Sequence, residues 1–319
     1  MFFLGDFAQL PPVSSPALYS PVYTTKFNPQ ARLNGRMIIN SFAFFELTKS
    51  FGQQGDSALQ FRRLLDHIAY DSIDLDDFKL LLSRNIPIER NLEFRDAIRI
   101  YPSNEKVKQA NNEFLRNFGK PIAVIEADNN PNIEINSDKD DDAKTCLHNK
   151  LYLSIGCKVL LRTNIAVQQG LCNGSEGIVQ AIVYGPGKRP PELPEYVLVL
   201  FPRYSGDGFT GEKLFPIVPI TKSWTNKHGI TVNRKQIPLM LAYSITVHRA
   251  QGLTIDKAIV ELSPNEWSHG LTYTTLSRVG QINDLLIEGV ITMDRLASIS
   301  TMPAHHNLNN LLHVLRTKQ

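Results

Sequence analysis

The stretch Leu241-Ala242-Tyr243-Ser244-Ile245-Thr246-Val247-His248-Arg249-Ala250-Gln251-Gly252-Leu253-Thr254 decides the fold of this chain. Its apolar opening continues a strand over 239–244, and a helix starts at Thr246. The same alternation follows downstream: a strand over 258–262, a helix containing 271–279 and a strand over 285–288. Strand feeding helix is the rhythm of an α/β domain. Thr246 and His248 stand at the loop-to-helix junction, where free backbone N–H groups favour anions. Arg249 adds positive charge, and Gly252 lets a backbone come close to a ligand.

Upstream the pattern changes. Residues 159–161, 176–184, 196–201 and 213–220 are short β runs divided by Gly/Pro turns, which predicts a small antiparallel barrel inside the α/β domain. Residues 128–144 are rich in Asp and Asn and read as a solvated loop. Further upstream the α/β rhythm returns. A strand over 97–101 precedes a helix capped by Ser103, with Val107, Ala110, Phe114, Leu115 and Phe118 on its apolar face and Gly119 as its stop. Leu59, Phe61, Leu64, Leu65 and Ile68 give another helix its stripe, and 74–82 form a short one. Residues 14–40 are polar and proline-rich, a surface connection. Phe2 to Leu4 are apolar and end at Gly5-Asp6, like a buried parallel strand. The expectation is that the chain starts inside a larger fold.

Composition sets the bounds. The chain has 319 residues, 42% of them hydrophobic and 20% charged, enough for one large core or two modest ones. The net charge of +3 permits a polyanionic partner without demanding one. Cys146, Cys157 and Cys172 lack metal-ligand spacing, so no metal site is expected from them. Neither a signal peptide nor another targeting segment is read, and no apolar run reaches the ~20 residues of a membrane span.

Two more segments carry chemistry. Gly5-Asp6-Phe7-Ala8-Gln9-Leu10-Pro11-Pro12-Val13 places an acid and an amide in the loop after a strand, where α/β proteins line their ligand crevice. Gln9 can hold a phosphate oxygen or orient a water. Gly270-Leu271-Thr272-Tyr273-Thr274-Thr275-Leu276-Ser277-Arg278-Val279 ends in a guanidinium suited to developing phosphate charge. Alone, each has an ordinary structural reading as a turn, a packed histidine or a surface arginine.

Together, in this order, the three resemble motifs III, V and VI of the Pif/RecD-type superfamily-one DNA helicases, with the chain starting at motif III. Glu46-Leu47-Thr48-Lys49-Ser50-Phe51, residues 104–112, and Gly156-Cys157-Lys158-Val159-Leu160-Leu161 with Gly170-Leu171-Cys172-Asn173-Gly174-Ser175-Glu176-Gly177 resemble lesser landmarks of the family. The resemblance implies a RecA-like P-loop NTPase fold. Residues 1–40 would be the tail of the first RecA-like domain, 41–165 and 237–319 the second, and 166–236 an inserted small antiparallel β-barrel. It implies ATP and Mg2+ as cofactors and single-stranded DNA as partner, with a monomer expected. It also implies 5′-to-3′ unwinding and roles in DNA repair, recombination and telomere maintenance, in the nucleus or mitochondrion of a eukaryote or otherwise the cytoplasm. Asp6, Gln9, Gln251, Gly252 and Arg278 would line the nucleotide, with Gln9 and Arg278 catalytic. Pro11, Pro12, Asn104, Thr246, His248 and Arg249 would line the DNA.

Two departures bear on activity. No Gly-x-x-x-x-Gly-Lys-Ser/Thr occurs, and no Asp-Glu strand end precedes Gly5, so these residues alone are expected not to hydrolyse ATP. The family's motif IV reads Phe-Arg-Gln, its Arg reaching the γ-phosphate. Here it reads Phe51-Gly52-Gln53, with Arg62 or Arg63 as substitutes. The alternatives to a helicase are an inactive remnant that only binds single-stranded nucleic acid, and a piece unable to fold alone.

Overall fold

The computed structural model describes residues 4–12, 15–21, 29–47, 52–53, 58–87, 91–131, 147–208, 212–225 and 229–317. The strand expected at Phe2, most of the 128–144 segment, Cys146 and the 48–51 part of the landmark at Glu46 lie outside them. The chain forms two compact units, Met1–Val107 with Ile245–Gln319, and Lys108–Ser244.

In chain order, the first unit opens with α1 (Pro29–Ser41), α2 (Leu59–Tyr70), α3 (Leu75–Leu82) and β1 (Ile98–Tyr101). Within α4 (Asn104–Asn117) the chain passes into the second unit. There follow β2 (Ala123–Glu126), β3 (Asp128–Asn130), β4 (Lys150–Leu153), β5 (Lys158–Leu161), β6 (Glu176–Val183) and β7 (Tyr196–Leu200). β8 (Leu214–Ile217), β9 (Ile220–Thr225), β10 (Thr231–Gln236) and β11 (Leu239–Leu241) complete that unit. β12 (Ser244–Thr246), α5 (Val247–Ala250), β13 (Ala258–Glu261), α6 (Leu271–Leu276), β14 (Leu285–Glu288), α7 (Met293–Ala297) and α8 (Pro303–Arg316) finish the first.

The first unit is α/β. Its sheet runs β12-β1-β13-β14, with β1 parallel to β13 (Ile98 opposite Ala258) and β13 parallel to β14 (Ala258 opposite Leu285). Non-sequential neighbours joined by helices are what a parallel sheet requires. Ile100, Val260 and Leu285 are fully buried, as expected of strands covered on both faces. Asp74 caps α3 through a complete capping box with Asp77. α8 buries Leu308, Leu311, Leu312 and Leu315, an i, i+3, i+4, i+7 stripe. Each such leucine contributes ~1.5–3 kcal/mol of burial.

The second unit is antiparallel. One open sheet runs β11-β5-β6-β7-β8, and smaller sheets are β3-β10-β9 and β2-β4. None closes on itself, so the described strands do not display the expected barrel. The five-stranded sheet also takes in β5 and β11, outside the 166–236 span. Val159, Val179, Val197, Val199 and Ile237 form its core, all fully buried. Asn111 of α4 both accepts from the Ser244 N–H and donates to the Ser244 carbonyl, each at 3.0 Å.

Three expectations change. Residues 128–130 form a strand, paired along β10, in which Asn129 accepts from the Arg234 Nε at 2.9 Å while Asp128 and Asn130 stay exposed. The surface connection over 14–40 contains α1, which begins at Pro29, a residue suited to a first helical turn. The strand expected over 239–244 is two strands, β11 and β12, in different sheets.

Candidate nucleotide and nucleic-acid site

The motif segments within the first unit are locked together by hydrogen bonds between residues far apart in sequence. In the 5–12 loop the Asp6 carboxylate accepts from the Ala8 N–H at 3.0 Å and from Gln9 Nε2 at 3.1 Å. The Tyr273 hydroxyl of α6 donates to the same carboxylate at 3.2 Å, and the Leu10 N–H donates to Thr274 Oγ1 at 3.1 Å. Gly270 stands where the loop meets α6. Its φ is +81°, and a Cβ there would lie 2.7 Å from the Gln9 carbonyl carbon, so only glycine fits. Burial, and then the neighbouring Asp6 charge, push the Tyr273 phenol well above its ordinary range, which keeps it a donor.

Arg278 joins the other two motifs. Only 6% exposed, it donates from Nε to the Thr274 carbonyl at 2.7 Å and from Nη2 to Ser277 Oγ at 2.7 Å. Its Nη1 donates to the carbonyls of Ala250 (3.4 Å) and Leu253 (3.3 Å). Burial lowers its pKa, yet guanidinium remains the charged form. Of five N–H donors, these bonds engage four. One Nη2 donor is left for an acceptor such as a phosphate oxygen. The residue therefore fits a γ-phosphate contact of one hydrogen bond without leaving its socket.

Gln251 and Gly252 are exposed beside that socket. Gly252 has φ +80° and open space where a Cβ would be, so its backbone angle, not crowding, calls for glycine. Gln53 Nε2 donates to the Val279 carbonyl at 3.1 Å, which ties the motif IV segment to the end of motif VI. A Cβ at Gly52 would meet nothing within 4 Å. Arg63 pairs instead with the α3 cap Asp74, and Arg62 keeps a buried Nε with no hydrogen-bond partner among the described residues.

Of the residues expected to line nucleic acid, Thr246 is buried and caps α5, accepting from the Arg249 N–H at 3.4 Å. His248 and Arg249 are half-buried on that turn, while Asn104 is exposed at the start of α4, just beyond β1. Burial holds the His248 pKa below its usual value, so the ring is neutral at pH 7. Pro11 is half-buried and Pro12 exposed.

Two residues escaped the sequence reading. Tyr273 lies inside motif VI and could have been found from its place there. Trp267, in the loop after β13, is 54% exposed and stacks on His248 with ring centroids 5.9 Å apart and planes 22° apart. A lone tryptophan in a loop forms no pattern. His67, Asp74 and Asp77 bring one ligand atom each within 4.8 Å of one another, but Asp74 and Asp77 already serve the α3 cap.

No family model matches the chain. A zebrafish (Danio rerio) protein named ATP-dependent DNA helicase PIF1 is 28% identical over 291 residues, covering 89% of this chain and 39% of that protein. Trypanosoma brucei ATP-dependent DNA helicase PIF6 is 33% identical over 146 residues, 46% of this chain and 17% of that protein. The chain thus spans about two fifths of the length of the zebrafish relative. Among solved structures, Bacteroides Pif1 bound to single-stranded DNA superposes with a TM-score of 0.65 at 22% identity, covering 98% of this chain and 66% of that one. The Pif1 helicase of Candida albicans gives 0.62 at 21% identity, over 83% of this chain and 59% of that one. In sequence the chain is similar to PIF1 helicases, and in fold it resembles the solved Pif1 structures.

Proposed function

We propose that this chain supplies the motif III, V and VI half of an ATP-dependent 5′-to-3′ DNA helicase. In this reading residues 1–40 close a first RecA-like domain and 41–165 with 237–319 form the second. The 166–236 segment is the inserted small β-domain. The carrying observation is the interlock: Asp6 and Leu10 bind α6, and Arg278, just past the end of α6, binds the carbonyls beside the α5 turn. Gln9 and Arg278 face the γ-phosphate, with Asp6, Gln251 and Gly252 around it. Pro11, Pro12, Asn104, Thr246, His248 and Arg249 follow the backbone of single-stranded DNA. ATP with Mg2+ supplies the phosphoryl transfer that drives movement. The 319 residues contain no P-loop lysine, so by themselves they bind DNA without turnover.

The test is titration of the purified chain with a labelled single-stranded oligonucleotide at two salt concentrations, alongside DNA-stimulated phosphate release. Binding that weakens with salt, as phosphate contacts require, with no phosphate release is the expected result. Affinity unchanged in a His248→Ala, Arg249→Ala double variant would remove the α5 turn from the binding track. Turnover that disappears on Arg278→Ala would show that the chain hydrolyses ATP unaided. The second reading, an inactive single-strand binder, is favoured by Gly52 standing where the family's motif IV has Arg. It predicts that joining a related P-loop domain to this chain restores no turnover.

A further inference from the structure

Parallel pairing sends the loops after β1 and β13 off the same edge of the sheet, the edge where α/β proteins hold ligands. The loop after β13 carries Trp267. Its neighbours fix which way that residue faces. Glu266 is buried, and its carboxylate accepts from the Thr272 N–H (3.0 Å), Thr272 Oγ1 (2.6 Å) and Arg295 Nη2 (2.8 Å). His269 is buried too, sharing a hydrogen bond with the Tyr19 hydroxyl at 3.2 Å and packing on His305. With Glu266 and His269 anchored inward, the loop presents the indole outward. A large aromatic side chain so held in water, with a neutral imidazole stacked beside it, has the composition of a base-stacking platform.

We infer that Trp267, backed by His248, stacks on a base of the single-stranded nucleic acid. The inference rests on the proposed single-strand binding. It adds a contact to a base where that reading has contacts only to the backbone. Stacking is indifferent to base identity, because each base has a π-face, so the platform grips without reading sequence. Glu266 and Arg295 are positioning residues for it.

The test compares an oligothymidylate with an equally long abasic oligomer, both labelled and read by fluorescence anisotropy on the whole chain. The wild type should prefer the oligothymidylate. Trp267→Ala should weaken oligothymidylate binding by roughly tenfold, a loss typical of one stacked base, and leave abasic binding unchanged. Trp267→Tyr should retain most of the preference. The chain has two tryptophans, and Trp224 is largely buried against Arg234, so quenching of intrinsic emission by oligothymidylate should vanish in Trp267→Phe. Equal binding of both oligomers by the wild type, or Trp267→Ala indistinguishable from it, overturns the platform while leaving backbone binding standing. If the wild type binds neither oligomer, the proposed single-strand binding falls as well.

Discussion

Each unit of the molecule buries an arginine, and the two burials differ in kind. Arg234, 1% exposed, is wrapped inside a sheet: Nη1 donates to the Leu147 carbonyl and Nε to Asn129, both at 2.9 Å, and the guanidinium lies 5.2 Å over the Trp224 ring. Arg278 holds carbonyls from two motif segments, with the exposed Gln251 and Gly252 alongside. Burial by itself therefore does not distinguish a structural arginine from one with a further task. Their surroundings do. Arg234 is enclosed by strands, whereas Arg278 is met by loops that end at exposed backbone.

The comparison breaks most sharply in a chimera that joins a related P-loop domain to this chain. If Arg278 is the charge-stabilising group, Arg278→Ala should lower ATP turnover by about 10³-fold, and Arg234→Met should barely change it. Unfolding inverts the order. Arg234→Met should destabilise the second unit by roughly 3 kcal/mol through its stranded partners, read by urea titration of Trp224 emission in a Trp267→Phe background.

Acid separates the units further. Burial, helped by the nearby His305, depresses the His269 pKa to about 4, and burial also lowers that of His305. The unfolded chain then binds more protons between about pH 6.5 and pH 4. Stability of the first unit should be full above that window, fall as pH drops through it, and level off below. The loss is about 3 kcal/mol for His269 alone. Urea unfolding at successive pH values, followed by Trp267 emission in Trp224→Phe, checks this. His269→Gln should flatten the profile.

The smallest effect belongs to Gly52. A Cβ there meets open space, so Gly52→Arg should change stability by no more than about 0.5 kcal/mol. In the chimera it should raise turnover if motif IV lacks its finger. A large loss of stability would show that position 52 is not the open site described.

Legibility in the sequence followed the physics of each element. β14 matches the expected 285–288, because a continuous apolar run flanked by polar residues signals a buried strand. The short helix expected over 74–82 is found as α3, with Asp74 as its cap. β3 was hidden, since an Asp-Asn-Asn strand depends on partners a hundred residues away. The break between β11 and β12 was hidden as well, because both halves are apolar and only tertiary pairing divides them. At the candidate site, motif spacing picked out the residues but not their bonds. That Arg278 leans on Ala250 and Leu253 is a contact across more than twenty residues that no local pattern encodes. Trp267 became visible only through its exposure and its stacked neighbour.

Gly270 pressed against the backbone of Ala8 and Gln9 has a consequence for the order of folding. The 108–244 unit is one continuous stretch and can fold as soon as it leaves the ribosome. The first unit is discontinuous, and its opening loop has no seat until residues 270–274 have been made. Glu266 likewise waits for Arg295. Residues 5–12 therefore settle only after residues 270–274 are in place, later than the 108–244 unit that lies between them in sequence. Such late, sequence-distant closure slows folding, and it leaves the 5–12 loop without its native partners while residues 13–270 are being made.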